Sequence, residues 1–290
     1  MNNTPSSSLE EGAKNLKTLK KIKLLLPALL LLSASVLAQG KLFIIGGGKR
    51  PPALIQRLAD EADLKEGYGV VLAMSSIEPD TSSYYGIKQF RELGFTNIQS
   101  MYYTFENMPS FTALDSLRNA KLIYITGGDQ NRFMKRIEGT GIYKAIHDCF
   151  ENGGMIAGTS AGAAVMSHVM ITGDEKNYPE YDDTGRTIES NNLIYSTGLG
   201  MLKSVIIDQH FIQRSRYNRL FSAVIEHPEL KGIGIDESTA ILVENNTAEV
   251  VGESQVILVE KPQHINTDKT KISTRKMNVS ILRSGDKIKL

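Results

Sequence analysis

Cysteine is almost absent from this sequence, and tryptophan is missing altogether. The only cysteine among the 290 residues is Cys149, so an intramolecular disulfide is excluded and stability must come from a buried core. Cys149 falls within the apolar helical pattern of residues 141–151. That position is typical of a small buried side chain and not of a reactive thiol.

A surplus of charge of one sign is also lacking. The chain has 33 Lys and Arg against 32 Asp and Glu, a formal net charge of +1. Such a balance gives no bulk attraction to nucleic acid or to an anionic membrane surface. We therefore predict no nucleic-acid partner, and any recognition of charged ligands must come from local clusters.

No apolar run reaches the length of about 20 residues that spans a bilayer. The nearest, residues 24–38, follows a lysine-rich stretch and ends with the small residues Val36 and Ala38. A basic stretch, a short apolar stretch and small residues form the order of an export signal. We expect residues 1–38 to be that signal, with cleavage before Gln39 and a periplasmic or extracellular protein free of the membrane. An uncleaved membrane anchor is the alternative.

Short apolar runs rich in β-branched residues alternate with helical patterns along most of the remaining chain. This alternation predicts an α/β fold, a mostly parallel sheet with helices on both faces. After Thr239 the pattern has strands and turns only, which predicts an antiparallel extension of the same domain, residues 39–290. The predicted strands are 41–45, 70–74, 121–126, 155–157, 205–207, 232–235, 240–243, 249–251, 255–259 and 279–282. The predicted helices are 52–62, 84–93, 141–151 and 215–226.

The most informative segment is Gly-Thr-Ser-Ala-Gly at residues 158–162. It follows the apolar run 155–157 and precedes an alanine-rich helical run, the context of a G-x-S-x-G nucleophile turn. Gly158 and Gly162 would let strand and helix pass closely, and the start of the helix would bring free N–H groups towards Ser160. A serine that merely caps the helix is the alternative interpretation.

A serine nucleophile needs a general base and a group that orients the base. Of five histidines, His210 follows the apolar run 205–207 and so lies near the carboxyl end of a strand, where parallel sheets build their sites. His147 and His168 fall in predicted helical stretches. Asp236 and Glu237 end another buried run, and sequence order does not choose between them as the orienting carboxylate.

Several motifs in the same order resemble those of the cyanophycinases, serine peptidases of the dipeptidase E group. The resemblance implies a fold similar to class I glutamine amidotransferases, with Ser160 as nucleophile, His210 as base and Glu237 as orienting acid. It also implies an oxyanion hole made by the amides of Ala161 and Gly128, no metal or organic cofactor, and a homodimer. The motifs are residues 44–48, 127–130, 158–163, 208–211 and 234–240.

The same resemblance implies a substrate, cyanophycin, which is a poly-aspartate whose side chains carry arginine through amide bonds. Cyanophycinases cut it to β-Asp-Arg dipeptides. The residues expected to touch it are Gln130, Asp208, Gln209, Arg214, Arg216 and Arg219. Guanidinium groups suit the free carboxylates of the polymer, and a carboxylate such as Asp208 could pair with its arginine.

Two segments are open to more than one interpretation. The polar stretch 173–198 is longer than the family pattern leads one to expect, and it could gate the substrate or be a surface loop. Residues 46–50, Gly-Gly-Gly-Lys-Arg, follow a strand but lack the spacing of a phosphate-binding loop.

Two other functions stay open as well: hydrolysis of small aspartyl peptides, and a non-catalytic exported binding protein.

Overall fold

A computed structural model describes Met1 and residues 39–104, 106–180 and 185–290. The predicted export signal, except for Met1, lies outside the described residues. Residues Ala38–Leu290 cluster as one compact unit. No helix in the described ranges is both long and apolar enough to cross a bilayer. The helices are α1 (Pro52–Glu61), α2 (Pro79–Arg91), α3 (Phe111–Arg118), α4 (Gln130–Ile137), α5 (Gly141–Glu151), α6 (Ala161–Ala164) and α7 (Tyr217–Glu226). The strands are β1 (Leu42–Ile45), β2 (Gly69–Leu72), β3 (Ile98–Met101), β4 (Leu122–Ile125), β5 (Met155–Thr159), β6 (Val169–Glu175), β7 (Leu193–Thr197), β8 (Val205–Gln209), β9 (Lys231–Ile235), β10 (Thr239–Glu244), β11 (Thr247–Gly252), β12 (Gln255–Gln263), β13 (Asn266–Asp268), β14 (Lys271–Ser273), β15 (Lys276–Arg283) and β16 (Lys287–Lys289).

The larger sheet has eight strands in the order β16-β11-β10-β1-β5-β4-β2-β3. Strands β1, β5, β4, β2 and β3 run parallel to one another, and β10, β11 and β16 extend the sheet in antiparallel pairing. The prediction of a mostly parallel sheet with a C-terminal antiparallel extension is confirmed.

Helices cover both faces of this sheet, as predicted. On β1, Phe43 and Ile45 join the apolar cluster that includes side chains of α1 and α2. Leu42 and Ile44 join the cluster that includes α3, α4 and α5. Because successive side chains of a strand point to opposite faces, β1 must be apolar along its whole length to serve both clusters.

The second sheet has four strands in the order β15-β12-β9-β8, of which β8 and β9 are parallel. The sequence placed residues 205–207 and 232–235 in the main parallel sheet, and that assignment is wrong. Glycines on β9 let other elements pack directly on this separate sheet: a Cβ at Gly234 would lie 2.4 Å from the Phe211 ring. An apolar run shows that a strand is buried but does not identify its neighbours.

Part of the polar stretch 173–198 forms strands, which the sequence did not predict. β6 and β7 pair as an antiparallel hairpin, with an irregularity between Ile171 and Glu175. The helical run expected after Ser160 is also shorter than predicted, since α6 has one turn and His168 follows it outside any helix. Small residues such as alanine favour a helix but do not fix its length, which tertiary packing decides.

Candidate active site

Ser160 stands on a strained turn between β5 and α6. Its backbone has φ 55° and ψ −113°, a conformation that non-glycine residues rarely adopt. The flanking glycines make the turn possible: a Cβ at Gly158 would lie 2.1 Å from the carbonyl oxygen of Gly162, and one at Gly162 would lie 2.3 Å from that of Ile125. The Ser160 N–H donates to the carbonyl of Ile45 at 3.1 Å, which ties the turn to β1.

His210 and Glu237 reach Ser160 from the second sheet. They follow the parallel neighbours β8 and β9, so their side chains lie at the same edge of that sheet. His210 Nε2 lies 2.9 Å from Ser160 Oγ, and His210 Nδ1 lies 2.5 Å from Glu237 Oε1. The amide of His210 donates to the carbonyl of Gly46 at 2.7 Å, so backbone contacts fix the histidine against the larger sheet.

The structure distinguishes between the two neighbouring carboxylates. Glu237 contacts the imidazole, whereas Asp236 binds the backbone that follows His210. Asp236 Oδ1 accepts hydrogen bonds from the amides of Ile212 at 3.0 Å and Gln213 at 2.9 Å. Its other oxygen accepts from Ser254 Oγ at 2.6 Å. Asp236 therefore holds the turn that carries the histidine.

The surroundings of His210 favour a neutral imidazole. Burial lowers the pKa of His210 below its ordinary value of 6.5, and the charges of Arg214 and Arg216 lower it further. The Glu237 carboxylate opposes both effects, because it stabilises the protonated ring. A neutral imidazole that donates from Nδ1 to a carboxylate can accept a proton at Nε2.

The glycines of residues 46–48 adjoin the histidine and the glutamate, a role that sequence analysis missed. A Cβ at Gly47 would lie 2.3 Å from His210 Cε1, and one at Gly48 would lie 2.2 Å from Glu237 Oε2. Both glycines also have positive φ, of 116° and 66°. Three consecutive glycines after a buried strand were the available signal, and in the structure two of them pack closely against the histidine and the glutamate.

The amides of Ala161 and Gly128 are the two predicted to form an oxyanion hole, and that role stays a prediction. Ala161 is the first residue of α6, so its N–H has no acceptor within that helix. Gly127, which precedes Gly128, lies close to Ser160: a Cβ added at Gly127 would lie 3.4 Å from Ser160 Cβ. Ser75, which sequence analysis missed, holds this glycine turn: its Oγ donates to the carbonyl of Gly127 at 2.9 Å. Its signal was a polar residue at the end of a buried strand.

Three of the predicted substrate residues, Asp208, Arg216 and Arg219, form a buried ionic cluster at the end of β8 and the start of α7. Arg219 binds both carboxylate oxygens of Asp208, with Nε to Oδ2 at 2.7 Å. Arg216, which is fully buried, donates to the carbonyl of Gln209 at 2.8 Å. Arg214 is exposed. Asp208 therefore has an arginine partner within the chain, and contact of this cluster with substrate stays a prediction.

Gln130 lies apart from that cluster along the chain but is also buried. Its side-chain nitrogen donates to the carbonyls of Thr172 at 2.5 Å and Ile171 at 3.1 Å. It thereby fastens β6, the first strand of the unpredicted hairpin, to the start of α4. A gating role for the 173–198 stretch stays a prediction.

Known proteins provide an independent test of the family. Residues 79–251 match Peptidase family S51. The cyanophycinase of Trichormus variabilis (strain ATCC 29413 / PCC 7937) is 30% identical over 259 residues, which cover 85% of this chain and 84% of that protein. The cyanophycinase of Geminocystis herdmanii (strain PCC 6308) is 36% identical over 176 residues, covering 57% and 61%.

A solved structure shows the same fold. The crystal structure of a peptidase from an acI-B1 Actinobacterium superimposes with a TM-score of 0.63 at 20% identity, covering 88% of this chain and 98% of that one. The family match extends over more than half of the chain, and the relatives are similar over most of their length. The chain therefore belongs to peptidase family S51 and is a serine-type peptidase with the α/β fold of that solved structure.

Proposed function

We propose that this peptidase is an exported exopeptidase that hydrolyses cyanophycin to β-Asp-Arg dipeptides through an acyl-enzyme on Ser160. The observation that carries the proposal is the contact of Ser160 Oγ with His210 Nε2 at 2.9 Å and of His210 Nδ1 with Glu237 at 2.5 Å. This chain of groups matches the nucleophile, base and orienting acid of a serine hydrolase.

In the proposed reaction, His210 removes the proton from Ser160 Oγ as this oxygen attacks an aspartyl carbonyl. Glu237 holds the imidazole in the tautomer with the proton on Nδ1 and stabilises the imidazolium that forms. The amides of Ala161 and Gly128 donate to the developing oxyanion. The C–N bond then breaks, and the leaving amine takes its proton from His210. Water, deprotonated by His210, hydrolyses the resulting ester and regenerates Ser160.

The substrate part of the proposal is supported by the relatives' names and by the chemistry near the triad. Cyanophycinases match this chain at 30% identity over 85% of its length. The exposed Arg214 follows His210 closely and could bind a free carboxylate of the polymer. The buried side-chain oxygen of Gln209 has no hydrogen-bond partner in the described part of the chain. An unsatisfied acceptor of this kind could be satisfied by a substrate donor.

Export and a homodimer also belong to the proposal. The order of basic, apolar and small residues over positions 1–38 supports export. The mass of the mature protein, recovered from separated periplasmic and extracellular fractions, would test cleavage before Gln39. Light scattering on the purified protein would test the dimer, and a monomeric mass would contradict it.

The deciding experiment is degradation of purified cyanophycin with mass analysis of the products. We expect β-Asp-Arg from the wild-type protein and none from Ser160→Ala. A serine-directed phosphonate should label the wild type and spare the variant. If the protein cleaves α-Asp dipeptides but leaves cyanophycin undegraded, the small-peptide alternative is favoured. Absence of both labelling and hydrolysis would favour a non-catalytic binding protein.

A further inference from the structure

A cavity of about 540 Å³ lies apart from the triad, at the carboxyl end of α7. Its wall is formed by β7, by the last turn of α7 and by the β13–β14 hairpin. The first turn of α7 contacts the end of β8, since Arg219 binds Asp208 two residues before His210. The ten residues of α7 therefore separate the cavity from the triad by about 15 Å along the helix axis. The volume is typical of small-molecule sites, which measure about 300–1,000 Å³.

One side of this cavity is suited to a cation. The half-buried carboxylate of Glu226, the last residue of α7, accepts hydrogen bonds from the Tyr195 hydroxyl and the Asn191 amide, both at 2.5 Å. Both donors are uncharged, and no basic side chain in the described ranges forms an ion pair with Glu226. The helix end adds partial negative charge at the same place. The rings of Tyr195 and His227 also line the cavity, with centres 4.8 Å apart, and aromatic rings attract guanidinium ions.

The rest of the lining is suited to an aliphatic stem and an anionic group. Leu193, Ile225 and Ile272 are buried and give the cavity an apolar wall. Lys176 lines the same cavity and is exposed. Within residues 39–104, 106–180 and 185–290 its ammonium has no carboxylate partner, so it can bind an anionic group of a ligand. The cavity thus combines one uncompensated negative charge, an apolar wall and one uncompensated positive charge.

We propose that this cavity is an exosite that binds one arginyl group of cyanophycin while another part of the same chain is cleaved at Ser160. The inference rests on the proposed cleavage of cyanophycin. An arginine joined to aspartate through its α-amine keeps a free guanidinium and a free carboxylate, with methylene groups between them. The guanidinium pairs with Glu226, the methylene groups lie on the apolar wall, and the carboxylate pairs with Lys176. A phosphate ester or a fatty acid fits less well, because neither offers a cation to Glu226.

The size of the substrate decides whether the exosite is used. In an oligomer of two Asp-Arg units, both units adjoin the scissile bond, so no arginine remains for a site about 15 Å away. A long polymer has many further units. Binding at a second site on the same chain raises the apparent affinity for the polymer and leaves the chemistry at Ser160 unchanged.

The test therefore compares the two-unit oligomer with the polymer. Glu226→Gln should raise KM for the polymer by about 10-fold with kcat unchanged, and should alter neither constant for the two-unit oligomer. Lys176→Gln should act in the same direction and keep the wild-type melting temperature, because Lys176 is exposed. Glu138→Gln is the matched control: Glu138 is an exposed carboxylate just after α4, outside the cavity, and its loss should change neither KM.

The β-Asp-Arg released by cleavage carries the same arginine and is a second source of the ligand. If added dipeptide inhibits hydrolysis of the two-unit oligomer more strongly in the wild type than in Glu226→Gln, the exosite also binds product. If folded Glu226→Gln and Lys176→Gln both keep the wild-type KM for the polymer and the wild-type response to added dipeptide, the inference is overturned. Equal losses on both substrates would overturn it as well, because they would show a general effect on the active site.

Calorimetry keeps the exosite testable apart from catalysis. N-acetyl-arginine carries both free groups of the ligand, and N-acetyl-citrulline has the same shape without the positive charge. Ser160→Ala should bind N-acetyl-arginine more tightly than N-acetyl-citrulline, and adding Glu226→Gln should weaken N-acetyl-arginine binding by about 10-fold. Binding of N-acetyl-arginine that does not depend on Glu226 would refute the exosite. Failure of the proposed function has a different signature, which is cyanophycin left intact by the wild type.

Discussion

Replacing Ser160 by glycine should give a more stable protein than replacing it by alanine, although both variants should lack hydrolysis. Both changes remove the hydroxyl and its contact with His210. They differ in what the backbone must do, because Ser160 has φ 55° and ψ −113°. Alanine keeps the strain of that conformation, and glycine releases it.

The expected difference follows from two opposing contributions. A residue held in a sparsely populated backbone region costs about 1–3 kcal/mol. Glycine has more freedom in the unfolded chain, which removes about 0.4–1 kcal/mol of stability relative to alanine. We therefore expect Ser160→Gly to exceed Ser160→Ala by about 0.5–2 kcal/mol in the free energy of unfolding.

Urea denaturation of the two variants measures this difference directly. Ala113→Gly provides the control, since Ala113 lies within α3 and the change should destabilise by about 0.5–1 kcal/mol. The sign at position 160 should therefore be opposite to the sign at position 113. If Ser160→Gly were no more stable than Ser160→Ala, the turn would not be strained and the reasoning would be refuted.

Three further predictions follow from the site and its supports. Activity should fall as the pH drops through the lowered pKa of His210, because only the neutral imidazole accepts a proton. The charge of Arg214 contributes to lowering this pKa. Arg214→Gln removes that charge and should therefore move the acidic limb of the kcat/KM profile to higher pH. An unmoved limb would contradict that account. Gly47→Ala should reduce kcat by about 100-fold, because the added Cβ would displace the imidazole of His210. Gly94→Ala is the control and should retain kcat, because Gly94 also has a positive φ but an added Cβ there meets open space. Equal kcat values in a kinetic assay would refute the steric argument. Asp208→Asn should lower the free energy of unfolding by about 3–5 kcal/mol, since it removes the charge of a buried carboxylate that Arg219 binds through both oxygens. A loss below about 1 kcal/mol in urea denaturation would show that the pair is not structurally important.

Local sequence patterns were sufficient to predict the parallel sheet with helices on both faces and the turn that carries Ser160. Runs such as residues 70–74 are apolar throughout, and only a sheet buried on both faces requires that. The helix predicted over 141–151 has the observed bounds Gly141–Glu151, because Thr140 caps its first turn and its apolar side chains recur at helical spacing. Gly158 and Gly162 indicated the turn, because a sharp turn between a strand and a helix needs residues without side chains at two positions close together in the chain.

Long-range pairing could not be predicted in the same way. The apolar runs 205–207 and 232–235, which precede His210 and Glu237, resemble those of the main sheet, yet their strands belong to the second sheet. The choice of Glu237 over Asp236 depends on which side of one backbone turn faces the imidazole. Two adjacent carboxylates in a sequence carry no information about that direction.

The sequence by itself therefore determined the types of the elements and the chemistry of the serine turn, because backbone conformation and apolar periodicity act over a few neighbouring residues. Only the tertiary structure decided that two sheets meet at the site and that residues 46–48 pack against the histidine and glutamate. These features join residues as far apart in the chain as Gly48 and Glu237. Their proximity arises from the packing of the whole domain and not from any local pattern.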